Sequence, residues 1–265
     1  MVVKTIGEKY SSSDNGLTKS MRWRVRHTLN WIGLLTVIGL LACGCNFRAQ
    51  QHNVSGRQAF EYGQLSTAVT EFQKALKANP RNADAHYNLG ATYYAMAKQN
   101  QNVQWTAQAE QLFRQAIALN DQHVEAHRSL AALLIETGQE RYAFDLLNTW
   151  RARYPTSTDP LIELARLYQE YGDNRRATDY LADALRVNGN DVRALKAMGH
   201  VRERQGEVQL ALENYYRVLQ IDNRQTDVAN AVQRLQTQLA QGGLPGTLGS
   251  PGQPRYGSAA PFEQR

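Results

Sequence analysis

A recurrence of 34 residues constrains this chain more than any other feature of its sequence. Between Val124 and Pro155 the order runs Leu130-Ala131, Leu134, Gly138, Ala143, Leu147, Trp150 and Pro155. One step of 34 brings Leu164-Ala165, Tyr168, Gly172, Ala177, Leu181, Ala184 and Gly189 into the same places. A second step brings Met198-Gly199, Gly206, Ala211, Tyr215, Val218 and Asn223. A unit this short encloses no core of its own, so it must bury its apolar face against its neighbours. The sequence therefore describes an array, and fold class follows from that before any motif is considered.

The frame resembles the tetratricopeptide repeat, a helix-turn-helix unit of 34 residues. In that family large apolar residues stand at positions 4, 7, 11 and 24, small ones at 8, 20 and 27, and a helix stop at 32. Positions 8 and 20 lie where the two helices cross, so a side chain beyond methyl would force the backbones apart. The resemblance implies an all-α solenoid, a right-handed superhelix of about five repeats closed by a C-terminal capping helix. Repeats are expected over 49–82, 83–123, 124–157, 158–191 and 192–225, with the capping helix over 226–240. Val228, Val232, Leu235 and Leu239 give that last helix one apolar side.

The departures from the family frame carry expectations of their own. The first half of repeat 1 places His52, Ser55, Gly56 and Ala59 where larger residues are usual. Repeat 2 runs seven residues long near Lys98–Thr106, either as a longer helix pair or as a protruding loop. Trp105 in that stretch is expected to pack on its own hairpin, with a partner anchor as the alternative. Trp150 stands where Ala75, Ala116 and Ala184 stand in other repeats, which predicts a local change of pitch between repeats 3 and 4. Position 32 holds Asp121, Gly189 and Asn223 in place of proline, all of them turn formers.

The N-terminal region reads as an address. Arg22, Arg24 and Arg26 precede an apolar run from Trp31 to Ala42, and Leu40-Leu41-Ala42-Cys43 closes it. Basic, apolar, then small is the order of a secretory signal, and the run is short for a membrane span. With Cys at its end, the segment resembles a bacterial lipoprotein signal over 21–42. That resemblance implies lipidation of Cys43, with Cys45 as the alternative. An uncleaved signal anchor is the other reading of the same residues. Residues 1–20 read as an extension ahead of Met21, 43–51 as a linker, and 241–265, with six Gly and four Pro, as a disordered tail.

Charge and motif content narrow the function classes. The formal net charge is +6, but residues 1–42 hold six Lys or Arg against two acids, so the array itself carries little excess. His123 and His127 share the i,i+4 spacing of paired ligands, yet no third ligand stands near, and core packing is the expected role. No nucleophile triad signature or phosphate loop occurs. The chain is expected not to be an enzyme, to need no cofactor or metal, and to bind no nucleic acid or small-molecule substrate.

By resemblance, positions 2, 5, 9, 12 and 13 of each first helix line a partner-binding groove. That selects Phe60, Tyr87, Tyr94 and Ile135 as apolar contributors, and Arg57, Arg128, Arg166, Arg193, Lys196 and Arg204 as basic ones. Glu61, Asp84, Glu125, Glu136, Asp159, Glu170 and Glu203 intersperse them with acids. The layout is similar to pilotins and envelope adaptor lipoproteins. It implies a lipid-anchored adaptor on the periplasmic side of the cell or outer membrane, binding a protein or peptide in envelope or pilus assembly. A self-associating scaffold of the envelope is the alternative.

Overall fold

The computed structural model describes residues 46–241, and every described element is an α-helix. The signal segment, Cys43, Cys45, the extension over 1–20 and the tail after Gln241 lie outside the described residues. Eleven helices follow in chain order among the described residues. They are α1 (46–61), α2 (Leu65–Ala78), α3 (Ala83–Asn100), α4 (Val103–Leu119), α5 (Val124–Glu136), α6 (Glu140–Arg153), α7 (Asp159–Glu170), α8 (Asn174–Val187), α9 (Val192–Arg204), α10 (Val208–Ile221) and α11 (Thr226–Ala240). They form five helix-turn-helix repeats and a capping helix, the all-α tetratricopeptide-like solenoid that the frame implies. None of the described helices is long and apolar enough to cross a membrane.

Two compact units divide the chain, and the boundary after Ala85 falls just inside α3. In the first unit α1 packs on α2 through Gly56, where an added Cβ would meet the Phe72 ring at under 3 Å. His52 Nδ1–H donates to Glu71 at 2.7 Å across the same pair. The linker expected over 43–51 is corrected here, because residues 46–51 already belong to α1.

In the second unit the small positions of the frame are buried without exception, as at Ala109, Ala116, Ala143, Ala177, Ala184 and Ala211. Glycine at position 15 ends the first helix of repeats 1, 3, 4 and 5, with φ of 71° to 80° at Gly63, Gly138, Gly172 and Gly206. Left-handed backbone is free of steric cost only for glycine, so the turn recurs wherever glycine does. Repeat 2 has Ala97 there, and its first helix runs on until Gln101, whose φ is 52°. The extra seven residues thus form a longer helix pair, of 18 and 17 residues, rather than a loop. Asn102 then restarts the chain by accepting from the N–H groups of Gln104 and Trp105.

Trp150 is 3% exposed and stacks flat on His127, ring centroids 4.1 Å apart and 2° from parallel. His127 belongs to the first helix of the same repeat, so the large ring is taken up inside repeat 3. The two histidines serve packing and capping. His123 accepts the Ala126 N–H to cap α5, and His127 Nε2–H donates to the Asp121 carbonyl at 3.1 Å. Burial holds the His127 imidazole below its usual range and so neutral.

Candidate functional site

The first helices of successive repeats meet along one face, and charged side chains cross every seam of the second unit. Lys98 of α3 binds Glu136 of α5 at 2.8 Å. Arg128 of α5 donates twice to Glu163 of α7, at 2.9 and 2.5 Å. Asp159 of α7 binds Arg193 of α9 at 2.6 Å, Lys196 of α9 pairs with Asp227 of α11, and Glu203 of α9 binds Arg234 of α11 at 2.7 Å. Partners lie 31 to 38 residues apart in sequence, close to one repeat. Arg128, Ala132 and Glu136 follow each other at i,i+4, which aligns them on one row of α5.

Glu163 is the one fully buried carboxylate in this set, 1% exposed. Besides Arg128 it accepts from Arg166 Nε at 3.0 Å, and Arg166 reaches on to Glu170 at 2.7 Å. The hydrogen bond to Glu163 raises the Arg128 pKa against the opposing effect of burial. Glu163 is buried but Arg128 is 42% exposed, and Arg166 remains on Glu163 if Arg128 is removed, so this pair lies between a buried one and the exposed pairs, which contribute about 0–1 kcal/mol each. The ladder is therefore firm at the repeat 3–4 seam and adaptable elsewhere.

A second network lies where α9, α10 and α11 meet. His200 Nδ1–H donates to the Tyr215 hydroxyl oxygen at 2.9 Å, and the Tyr215 hydroxyl donates to Glu203 at 3.1 Å. Burial would raise the Glu203 carboxyl, but Arg234, the Tyr215 hydroxyl and His200 together hold it below the usual range. Burial raises the Tyr215 hydroxyl and lowers the His200 imidazole.

The expected groove residues separate into three groups. Arg128, Arg166, Arg193 and Lys196 share the first-helix face, and each is engaged by a carboxylate of its own or an adjacent unit. Tyr87 and Tyr94 are half-buried, leaning on Phe113 with centroids at 5.9 and 6.4 Å, and Lys98 lies over the Tyr94 ring. Arg204 is exposed at the end of α9, and Arg57 and Phe60 are exposed on α1 of the first unit. Ile135 is corrected. It is 1% exposed, because it belongs to the core cluster with Leu134, Phe144, Leu164 and Leu167, and it offers no surface.

Sequence reasoning missed the pairing itself. It recorded interspersed signs along the face, while the informative pattern was opposite sign at an offset of one repeat. It also missed the stop at position 31. Asn79, Asn120, Asn188 and Asp222 occupy that place, and each side chain accepts the N–H two residues on. Among the described residues no group of three His, Cys, Asp or Glu is placed to hold a metal ion.

Comparison with known proteins agrees with this architecture. A family model described as TPR repeat matches residues 56–96, and one described as tetratricopeptide repeat matches 162–228. A TPR repeat-containing protein of Methanocaldococcus jannaschii is 23% identical over 66% of this chain and 31% of its own length. The BBSome complex member BBS4 homologue of Drosophila melanogaster is 23% identical over 64% of this chain and 42% of its own. The chain thus spans about a third to two fifths of the length of these curated relatives. A thermophilic TPR protein of Thermus thermophilus superposes with a TM-score of 0.55 at 18% identity, over 71% of this chain and 99% of that one. At such identity the likeness concerns fold alone. Frame, helix pairs and family models agree, and the chain has the fold of a tetratricopeptide-repeat array, with residues 56–96 and 162–228 matching the repeat family.

Proposed function

We propose that the protein is a lipid-anchored scaffold that binds a protein or peptide partner along the first-helix face of repeats 2 to 5, on the periplasmic side of a membrane. The observation that carries the binding role is the continuity of that face. Half-exposed side chains run from α3 to α11 without interruption, held in register by ion pairs at each seam. Its cations are matched by carboxylates, so the face suits a partner of mixed charge rather than a phosphate backbone or a uniformly acidic tail. Pre-positioned guanidinium and carboxylate groups orient such a segment at little entropic cost, and the tyrosines of α3 supply contact area. The anchor rests on the sequence Leu40-Leu41-Ala42-Cys43. A role in envelope or pilus assembly rests on that layout.

Ala132 offers a clean test, being only half-buried in the middle of the row. Ala132→Arg adds bulk there without removing a contact. Recovery of the partner by the intact anchored protein should fall at least ~10-fold, a loss of about 1.4 kcal/mol, with helicity and melting unchanged. Undiminished recovery moves the binding site off this face.

A further inference from the structure

We propose that the first repeat sits directly on an anionic bilayer surface, through the end formed by the start of α1 and the α2–α3 turn. The proposal rests on Cys43 being the lipid-bearing residue, and it adds how the array is held to the membrane. Three residue steps separate Cys43 from Asn46, and Asn46 is already helical. Three steps reach at most about 11 Å in any conformation. A lipid at Cys43 therefore leaves no spacer between the bilayer and the folded array.

What that end displays fits the contact. Phe47 is 72% exposed, an aromatic ring held in water by nothing in the fold. The Asn79 side chain donates to Asn46 at 2.8 Å, which fixes the α2–α3 turn beside the start of α1. The turn itself is closed by the Arg81 N–H donating to Asn79. Arg48, Lys77 and Arg81 are all exposed around it, with Asp84 the nearby carboxylate. Glu71 is occupied by His52 and Lys74 and takes no part. An exposed aromatic among three cations matches the headgroup level of an anionic leaflet, where the ring enters the interface and the cations meet lipid phosphates. The exposed face of the capping helix differs, since beside Asn230, Gln233 and Thr237 its one cation, Arg234, is held by Glu203.

The test uses the full chain recovered from membranes in a Cys45→Ser background, with an environment-sensitive fluorophore on Phe47→Cys or, as control, on Gln233→Cys. Vesicles of phosphatidylglycerol with phosphatidylethanolamine should shift the fluorophore at 47 to the blue and shield it from aqueous iodide, leaving 233 unchanged. Arg48→Glu with Arg81→Glu should reduce the shielding at least ~5-fold, and so should raised salt. Position 47 as open to iodide as position 233 would overturn the proposal, as would equal shielding on phosphatidylcholine vesicles. The mass of the N-terminal peptide decides the anchor separately. Unmodified Cys43 overturns the lipid reading, whereas lipidated Cys43 with an open position 47 overturns the docking surface alone.

Discussion

At Gly56 an added methyl would meet the Phe72 ring, and the same holds at Gly90 against Phe113 and Gly199 against Tyr215. Repeats 3 and 4 solve the same crossing with Ala131 over Leu147 and Ala165 over Leu181, all fully buried. Glycine goes with a ring and alanine with leucine, so the sum of the two volumes is what the crossing conserves. Gly56→Ala should therefore destabilise the first repeat by about 1–2 kcal/mol, overpacking exceeding the helix propensity gained. Phe72→Leu in the same chain should recover at least ~1 kcal/mol relative to additivity, read in a double-mutant denaturation cycle. This rule was legible in the sequence once the frame was set, because both members of each pair fall at fixed positions. His127 shows what was not. Its packing role is the one the sequence implies, but the flat stack on Trp150 has no signal there and is seen only in the structure. Burial lowers its pKa, with the His123 charge acting the same way and the Asp121 carbonyl and Glu163 opposing. The unfolded chain then binds the proton more tightly than the folded one. The His127 contribution is intact above about pH 6.5 and is lost as pH falls below that value toward the lowered folded pKa. His127→Phe keeps a ring against Trp150, so the melting temperature of this variant should fall less steeply than wild type between about pH 6.5 and pH 5.

The helices themselves were set by punctuation more than by propensity. Position 15 decides where each first helix stops, and the chain shows the rule by breaking it once. Ala97 cannot take the left-handed turn cheaply, so α3 continues for another turn until Gln101 takes it at φ 52°. A non-glycine residue there costs on the order of 1 kcal/mol. Gln101→Gly should raise stability by about 0.5–1 kcal/mol, seen as slower amide exchange in the last turn of α3 and the first of α4. An unchanged or faster exchange would show that the turn is already relaxed. Ile135 is a second misreading at this scale. Counting positions puts Ile135 in an open groove, but the position count carries no information on how deep a side chain sits, and Ile135 is part of the core cluster with Phe144, Leu164 and Leu167. The start of α1 was misplaced for a different reason. Asn46 to Gln51 has only Phe47 and Ala49 as apolar residues, too few to give a periodic signal that distinguishes linker from helix.

Across the second unit the core is not one mass but three clusters in sequence. The first gathers α4 to α7 around Leu130, Leu134, Leu147 and Leu164, the second α7 to α9 around Leu181 and Met198, and the third α9 to α11 around Leu195, Tyr215 and Val218. Few side chains join them. Tyr168 and Tyr180, stacked at 5.4 Å, border both the first and second clusters, and Leu185 borders the second and third. In such an array stability is a sum of unit terms and neighbour terms, so damage stays near its origin. Leu195 is fully buried in the third cluster. Leu195→Ala removes three carbons from a close-packed site and should cost about 3 kcal/mol. That loss is large against the few contacts that tie the third cluster to the second. Residues 192–240 should then lose amide protection at a denaturant concentration where 124–170 keep theirs, and the single unfolding transition should split in two. One cooperative transition in this variant, shifted but unsplit, would mean that the ion pairs of the first-helix face couple the seams more strongly than the apolar contacts do. Arg193→Ala, which removes the α7–α9 pair at that seam, should in that case restore the split.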